Sequence, residues 1–231
     1  MQKEHVMIEQ IKKDVEAFMN SKAGHGFDHV ERVYQKALDI QAYEGGDKTI
    51  IALASLLHDT DDYKFAGLEQ SKNLMNAKEI MKKAFVPLDI QERVCEIILN
   101  MGYSNRLKGI MPKTKEGQIV SDADMLDAMG ALAIVRTLEY GISKGALVFD
   151  KDNFPNKELT PTQYQQMAKT KEPCINHFFD KLLKLKGLLF TPQAQKEGEE
   201  RHKMMVDFLF AFFKENNQPK WISYLEGYLK E

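Results

Sequence analysis

Ala54-Ser55-Leu56-Leu57-His58-Asp59-Thr60-Asp61-Asp62-Tyr63-Lys64-Phe65 opens as the end of an apolar helix and then delivers a histidine, three carboxylates, a tyrosine and a lysine in quick succession. Each charge withdrawn from water needs a partner or a metal ion, so polarity this dense at a packed helix end points to a charged ligand. Upstream, Thr49 to Leu57 is apolar almost all round, the pattern of a helix buried in the middle of a bundle. Asp47 stands where an N-cap belongs, and Gly45-Gly46 closes the helix before it.

Working outward, Ile8, Ile11, Val15 and Phe18 fall at helical spacing over residues 4–20. Val30, Val33, Ala37 and Ile40 form the apolar face of a second helix, with Asp28 placed to cap it. Beyond the polar cluster the periodicity predicts helices over about 69–84 and 88–101, a loop over 102–118, and a helix over 119–140. Residues 141–160 lack a helical period and read as a functional or mobile connection, in which only Ala146 to Phe149 has strand character. Thr160-Pro161 and Thr191-Pro192 each supply an N-cap and a preset first turn, and a last helix follows Pro219. The expected class is therefore all-α, with one domain over 1–231.

Lys+Arg 32 against Asp+Glu 34 leaves a net charge of -2, which gives no whole-molecule attraction to a nucleic-acid polymer or a membrane. With 43% hydrophobic and 29% charged residues the chain has the makings of a packed core rather than a disordered tail. Cys95 and Cys174 lie in helical patterns without metal-type spacing and read as reduced, partly buried thiols. The residues after Met1 show no apolar run, and nowhere do apolar residues continue long enough to span a bilayer; the expected location is the cytoplasm.

Four side chains stand out as metal ligands: His29, the adjacent His58 and Asp59, and Asp124. A mixed imidazole and carboxylate set suits Mn, Fe, Zn, Co or Ni better than Ca, which prefers oxygen alone. Any one of them alone reads as an ordinary hydrogen-bonded polar residue. In order, however, they resemble the H…HD…D signature of the HD-domain superfamily of metal-dependent phosphohydrolases. The flanks GHGFDHVERV, ALASLLHDTDDYKF and VSDADMLDAMGA are similar to a bacterial branch with nucleotide pyrophosphohydrolase character. The likeness is specific over about 22–140, the expected HD core, and looser over a C-terminal helical part at about 160–231 that would pack on it.

That resemblance implies that His29, His58, Asp59 and Asp124 hold one divalent ion, with Mn favoured and Mg, Fe, Co, Ni or Zn as alternatives. Neighbouring His58 and Asp59 diverge on a regular helix, so their joint use implies a local distortion there. Asp62 is assigned the general base, with Asp61 as its rival or a solvated turn carboxylate. Lys64 would meet substrate phosphate, and His25, on a glycine-flanked turn, would bind phosphate or protonate a leaving group. Asp127 is the expected partner of a ligating histidine, whereas Asp122 is left as a helix cap. Arg136, His177, Lys181 and Lys184 could face a polyphosphate; the last three fall at i, i+4 and i+7, and an ordinary solvated basic stripe is the simpler reading of them.

The implied activity is hydrolysis of a phosphoester or phosphoanhydride in a small nucleotide, with release of pyrophosphate from nucleoside triphosphates favoured over 5′-nucleotidase or other phosphomonoesterase or phosphodiesterase chemistry. A non-catalytic metal or nucleotide sensor and a helical interaction module are the alternatives from other classes. The presence of both Asp62 and Lys64 favours the enzyme. A homodimer is compatible with the sequence.

Overall fold

The computed structural model describes residues 2–20, 26–62, 68–155 and 171–230. Packing divides the chain into two compact units, Met1–Asp124 with Phe190–Ala194, and Met125–Leu189 with Gln195–Glu231. The division falls after Asp124, inside a helix, rather than in the aperiodic connection at 141–160.

In the first unit, α1 (Gln2–Asn20), α2 (Phe27–Glu44) and α3 (Lys48–Leu57) are followed by α4 (Leu68–Asn73), α5 (Met75–Lys83), α6 (Leu88–Asn100) and the single turn α7 (Tyr103–Arg106). Helix α3 is the hub, packing against α1, α2 and α6. Every residue from Ile50 to Leu57 is buried. At roughly 2 kcal/mol for each large aliphatic side chain removed from water, Ile50, Ile51, Leu53, Leu56 and Leu57 together contribute on the order of 10 kcal/mol. The Asp47 carboxylate accepts from the amides of Thr49 and Ile50, capping the helix as expected. Gly45, at φ 78°, ends α2 with its amide on the Gln41 carbonyl. Asp28 does not take the cap of α2: Gly26 does, and the Asp28 carboxylate lies within the first turn, where it favours the positive end of the helix dipole.

Three expected elements are divided differently. The 69–84 helix breaks at Leu74, which adopts φ 50°, ψ 50°. The 102–118 loop contains α7, and α8 (Lys115–Asp127) begins inside it. The 119–140 helix stops at Asp127 and restarts as α9 (Gly130–Ser143), hinged where Gly130 takes φ 81° against the Arg201 side chain. Ala146 to Phe149 is not a strand, and no strand occurs among the described residues. Its Leu147 and Val148 carbonyls nevertheless accept from the amides of Cys174 and Ile175, which satisfies this backbone without a sheet. The helix expected after Thr160-Pro161 lies outside the described residues.

The second unit adds α10 (Asn176–Asp180), a 3-10 helix over Leu182–Leu188, α11 (Pro192–Glu215), which starts at the Thr191 cap, and α12 (Pro219–Tyr228). Its core is aromatic: Trp221, Phe178, Phe179 and Phe213 are fully buried, and Phe154 stacks on Trp221 at 4.3 Å between centroids. The Trp221 indole N–H donates to the Lys151 carbonyl at 3.0 Å, so the ring is buried without an orphaned donor. The basic stripe of His177, Lys181 and Lys184 does not form, because the α-helix ends at Asp180 and Lys181 turns to φ -137° before the tighter 3-10 helix that holds Lys184. Cys95 and Cys174 are buried free thiols, and burial raises both pKa values. No helix among the described residues is long and apolar enough to cross a membrane.

Asp180, 1% exposed, shows what burial does to a carboxyl: desolvation, opposed by Lys184 and aided by Glu172, pushes its pKa up to about 7. Because the native state then binds a proton that the unfolded chain has released, stability falls as pH rises from about 4 to 7. Asp180→Asn should leave stability little changed at pH 4 and raise it at pH 8 by on the order of a few kcal/mol, read from urea unfolding at the two pH values.

Candidate metal centre

The four expected ligands converge from three helices of the first unit. His29 lies in the opening turn of α2, whose Phe27, Val30 and Val33 face the core and so fix the rotation of the helix. His58 follows the last residue of α3 and keeps helical dihedrals of φ -57°, ψ -32°. The chain then tightens: the Thr60 amide bonds the Leu57 carbonyl and the Asp62 amide the Asp59 carbonyl, both three residues back. This is the local distortion that joint use of His58 and Asp59 requires. Asp124 comes from α8.

His29 Nε2 lies 3.2 Å from His58 Nε2, 3.5 Å from Asp59 Oδ2 and 3.5 Å from Asp124 Oδ1. His58 Nε2 lies 3.6 Å from Asp59 Oδ1 and 3.9 Å from Asp124 Oδ1. Two nitrogens bound side by side to one ion at about 2.1 Å stand roughly 3.0–3.4 Å apart, so the imidazole spacing is that of a ligand pair. Donor atoms of His29, His58 and Asp59 all lie within 4.8 Å of one another.

The tautomer agrees. His58 Nδ1 is 2.8 Å from the Ser55 carbonyl, which can only accept, so Nδ1 carries the proton and Nε2 offers its lone pair to the cluster. Ser55 has a double use, since its hydroxyl donates back to Ile51 and Ala52 and its carbonyl orients His58. The side chain of His58 is 3% exposed and that of Asp124 26%, so the cluster is floored by imidazole and open on its carboxylate side. Two imidazoles, two carboxylates and an open side fit a divalent transition ion with positions left for exchangeable ligands.

The neighbouring acids have separate jobs. Asp61 is not a solvated turn residue: it is 3% exposed and accepts from the amides of Asn76 and Ala77 at the start of α5. Asp62 is half-buried one tight turn beyond Asp59. Asp122 does not cap its own helix. Fully buried within α8, it accepts from the amides of Phe190 and Thr191 at 2.9 and 2.7 Å and from the Thr191 hydroxyl at 2.7 Å. Burial still outweighs those bonds and raises its carboxyl to about 6. Sequence reasoning saw Thr191 as a cap but had no local signal that Asp122 shares it from 69 residues away.

Asp127 accepts from Arg136 at 2.6 Å, so two residues expected to face metal ligand and substrate meet each other in the second unit. His177 and Lys181 also lie in that unit. His25 and Lys64 lie outside the described residues.

A helical bundle that gathers H…HD…D in this order defines an HD-type centre, and an HD-domain family model matches residues 26–129. The chain belongs to the HD-domain superfamily of hydrolases. YpgQ of Bacillus subtilis is 31% identical over 211 residues, 90% of this chain and 92% of YpgQ. A solved HD-superfamily hydrolase from Bacillus thuringiensis is 32% identical, covers 93% of this chain and 98% of its own, and superposes with a TM-score of 0.72. The crystal structure of YpgQ in complex with ADP superposes with a TM-score of 0.70 over 92% of this chain and 96% of YpgQ, at 26% identity over the superposed chains.

Removing the Asp122 carboxylate strands two amides and a hydroxyl. Asp122→Ala should therefore destabilise the protein by about 2–4 kcal/mol, seen as a lower urea midpoint at unchanged slope, with Asp122→Asn milder.

Proposed function

We propose that this chain is a metal-dependent phosphohydrolase that acts on nucleotides and releases pyrophosphate from nucleoside triphosphates. The observation that carries the reading is the convergence of His29, His58, Asp59 and Asp124 donors at 3.2–3.9 Å. Those four residues would hold the ion, Mn in first place. When bound, a divalent ion there supplies Lewis acidity toward phosphoryl and water oxygens, so hydrolysis needs no protein nucleophile. The nucleotide part of the proposal is supported by the binding of ADP to the related YpgQ.

The protein's own groups supply the rest. His58 is held through Nδ1 on the Ser55 carbonyl and presents Nε2 toward the cluster. Asp62, tied by its amide to the Asp59 carbonyl, is assigned the general base that takes the proton of the attacking water. Lys64 balances charge on the substrate phosphates, and His25 binds phosphate or protonates the departing oxygen.

Incubation with Mn2+ and a panel of nucleoside mono-, di- and triphosphates, with orthophosphate separated from pyrophosphate, tests the subclass. Triphosphates should yield pyrophosphate; orthophosphate as sole product would reject that subclass, and no turnover of any phosphate compound would reject the hydrolase of nucleotides. His58→Ala and Asp59→Ala should each lose bound metal and at least about 1,000-fold in kcat/KM; retained turnover with stoichiometric metal in either would contradict the ligand assignment.

A further inference from the structure

We propose that Asp61 and Asn76 form a clasp that positions the His58-Asp59 ligand pair, making Asp61 a positioning residue rather than the acid or base of the reaction. This deepens, and rests on, the metal reading above. Asp61 stands two residues beyond Asp59 and is 3% exposed, a placement that is costly for a carboxylate unless its oxygens are bonded. They are. Oδ1 accepts from the Asn76 amide at 2.9 Å and from Asn76 Nδ2 at 3.0 Å, while Oδ2 accepts from the Ala77 amide at 2.8 Å. Both oxygens are thus bonded, by three donors in all, and the carboxylate is turned into the protein rather than toward a substrate or a water.

The demand for this carboxylate comes from α5. That helix starts after Leu74, whose left-handed backbone and aliphatic side chain provide no local cap. Its first amides would be orphaned, and a negative group at a helix N-terminus is favourable. Asp61 fills both needs from 15 residues upstream.

The network also runs back to the ligands. Asn76 Nδ2 donates to the Thr60 carbonyl at 3.1 Å, and the Thr60 hydroxyl donates to the Leu57 carbonyl at 2.8 Å. The bonded residues Leu57, Thr60 and Asp61 therefore bracket His58 and Asp59 in sequence, and α5 serves as the fixed wall against which that turn is held. A ligand set works only when its atoms are held within about 0.5 Å of the binding geometry, so the clasp sets the affinity of the site for its ion.

The test uses the full chain and Mn2+ alone. Wild type, Asp61→Asn, Asn76→Ala and the double variant are stripped of metal, shown to be folded by circular dichroism at the assay temperature, and titrated by electron paramagnetic resonance of free Mn2+. Each single variant should bind Mn2+ about 10- to 100-fold more weakly, as loss of a group supporting a ligand does. The double variant should be no weaker than the worse single one, because one shared interaction is lost. Turnover at saturating Mn2+ should return to within about threefold of wild type in both single variants, since positioning and not proton transfer was removed. Unchanged Mn2+ affinity in folded variants overturns the clasp while leaving the metal centre standing. Turnover abolished by Asp61→Asn but not by Asn76→Ala, at saturating Mn2+, also overturns it and makes Asp61 the base. A wild-type protein that takes up no Mn2+ rejects the metal reading and the clasp together.

Discussion

Two imidazole nitrogens 3.2 Å apart, with two carboxylates beside them, are the constraint on which the first unit is built. Four donors aimed at one point repel or compete unless a cation lies among them, and water would separate them if the backbone allowed it. Three of them are anchored by something other than their neighbours. His58 is fixed through the Ser55 carbonyl, His29 through the buried face of α2, and Asp124 by a helix whose Asp122 grips the Phe190-Thr191 backbone.

The anchoring draws on burial. Helix α3 is apolar on every side and surrounded by α1, α2 and α6, so its end is a rigid platform rather than a fraying terminus. His58 and Asp59 begin where that burial ends. Placing ligands at the seam between a packed helix and a polar turn joins a low-dielectric floor, where charge interactions are strong, to an open side where a ligand can enter. Asp61 and Asp122, both buried, hold backbone amides in place, which separates the carboxylates that scaffold the site from those that face its centre.

Much of this was legible in the residues. The all-round apolarity of Thr49 to Leu57 identified the buried helix, Asp47 its cap, and the order of His29, His58-Asp59 and Asp124 the centre. Two of the parts that were not legible share a cause: they depend on bonds between residues far apart in sequence. Nothing local distinguishes Asp61, which caps a helix starting at Met75, from a solvated turn acid or a rival base, and nothing local ties Asp122 to Thr191. The breaks at Leu74 and Gly130 were missed because the apolar period runs through them while the backbone takes positive φ. The basic stripe at His177 failed for the converse reason, a spacing that presumes an α-helix where the chain tightens into a 3-10 turn.

The central claim is that these four side chains bind one ion together. X-ray absorption at the Mn edge on protein loaded with one equivalent of Mn2+ tests it most directly, because imidazole rings leave a multiple-scattering signature that carboxylates and water do not. The account requires a nitrogen and oxygen shell at about 2.1–2.2 Å carrying the signature of two imidazoles, reduced to one in His29→Ala. A shell of oxygen alone, identical in wild type and variant, would contradict it.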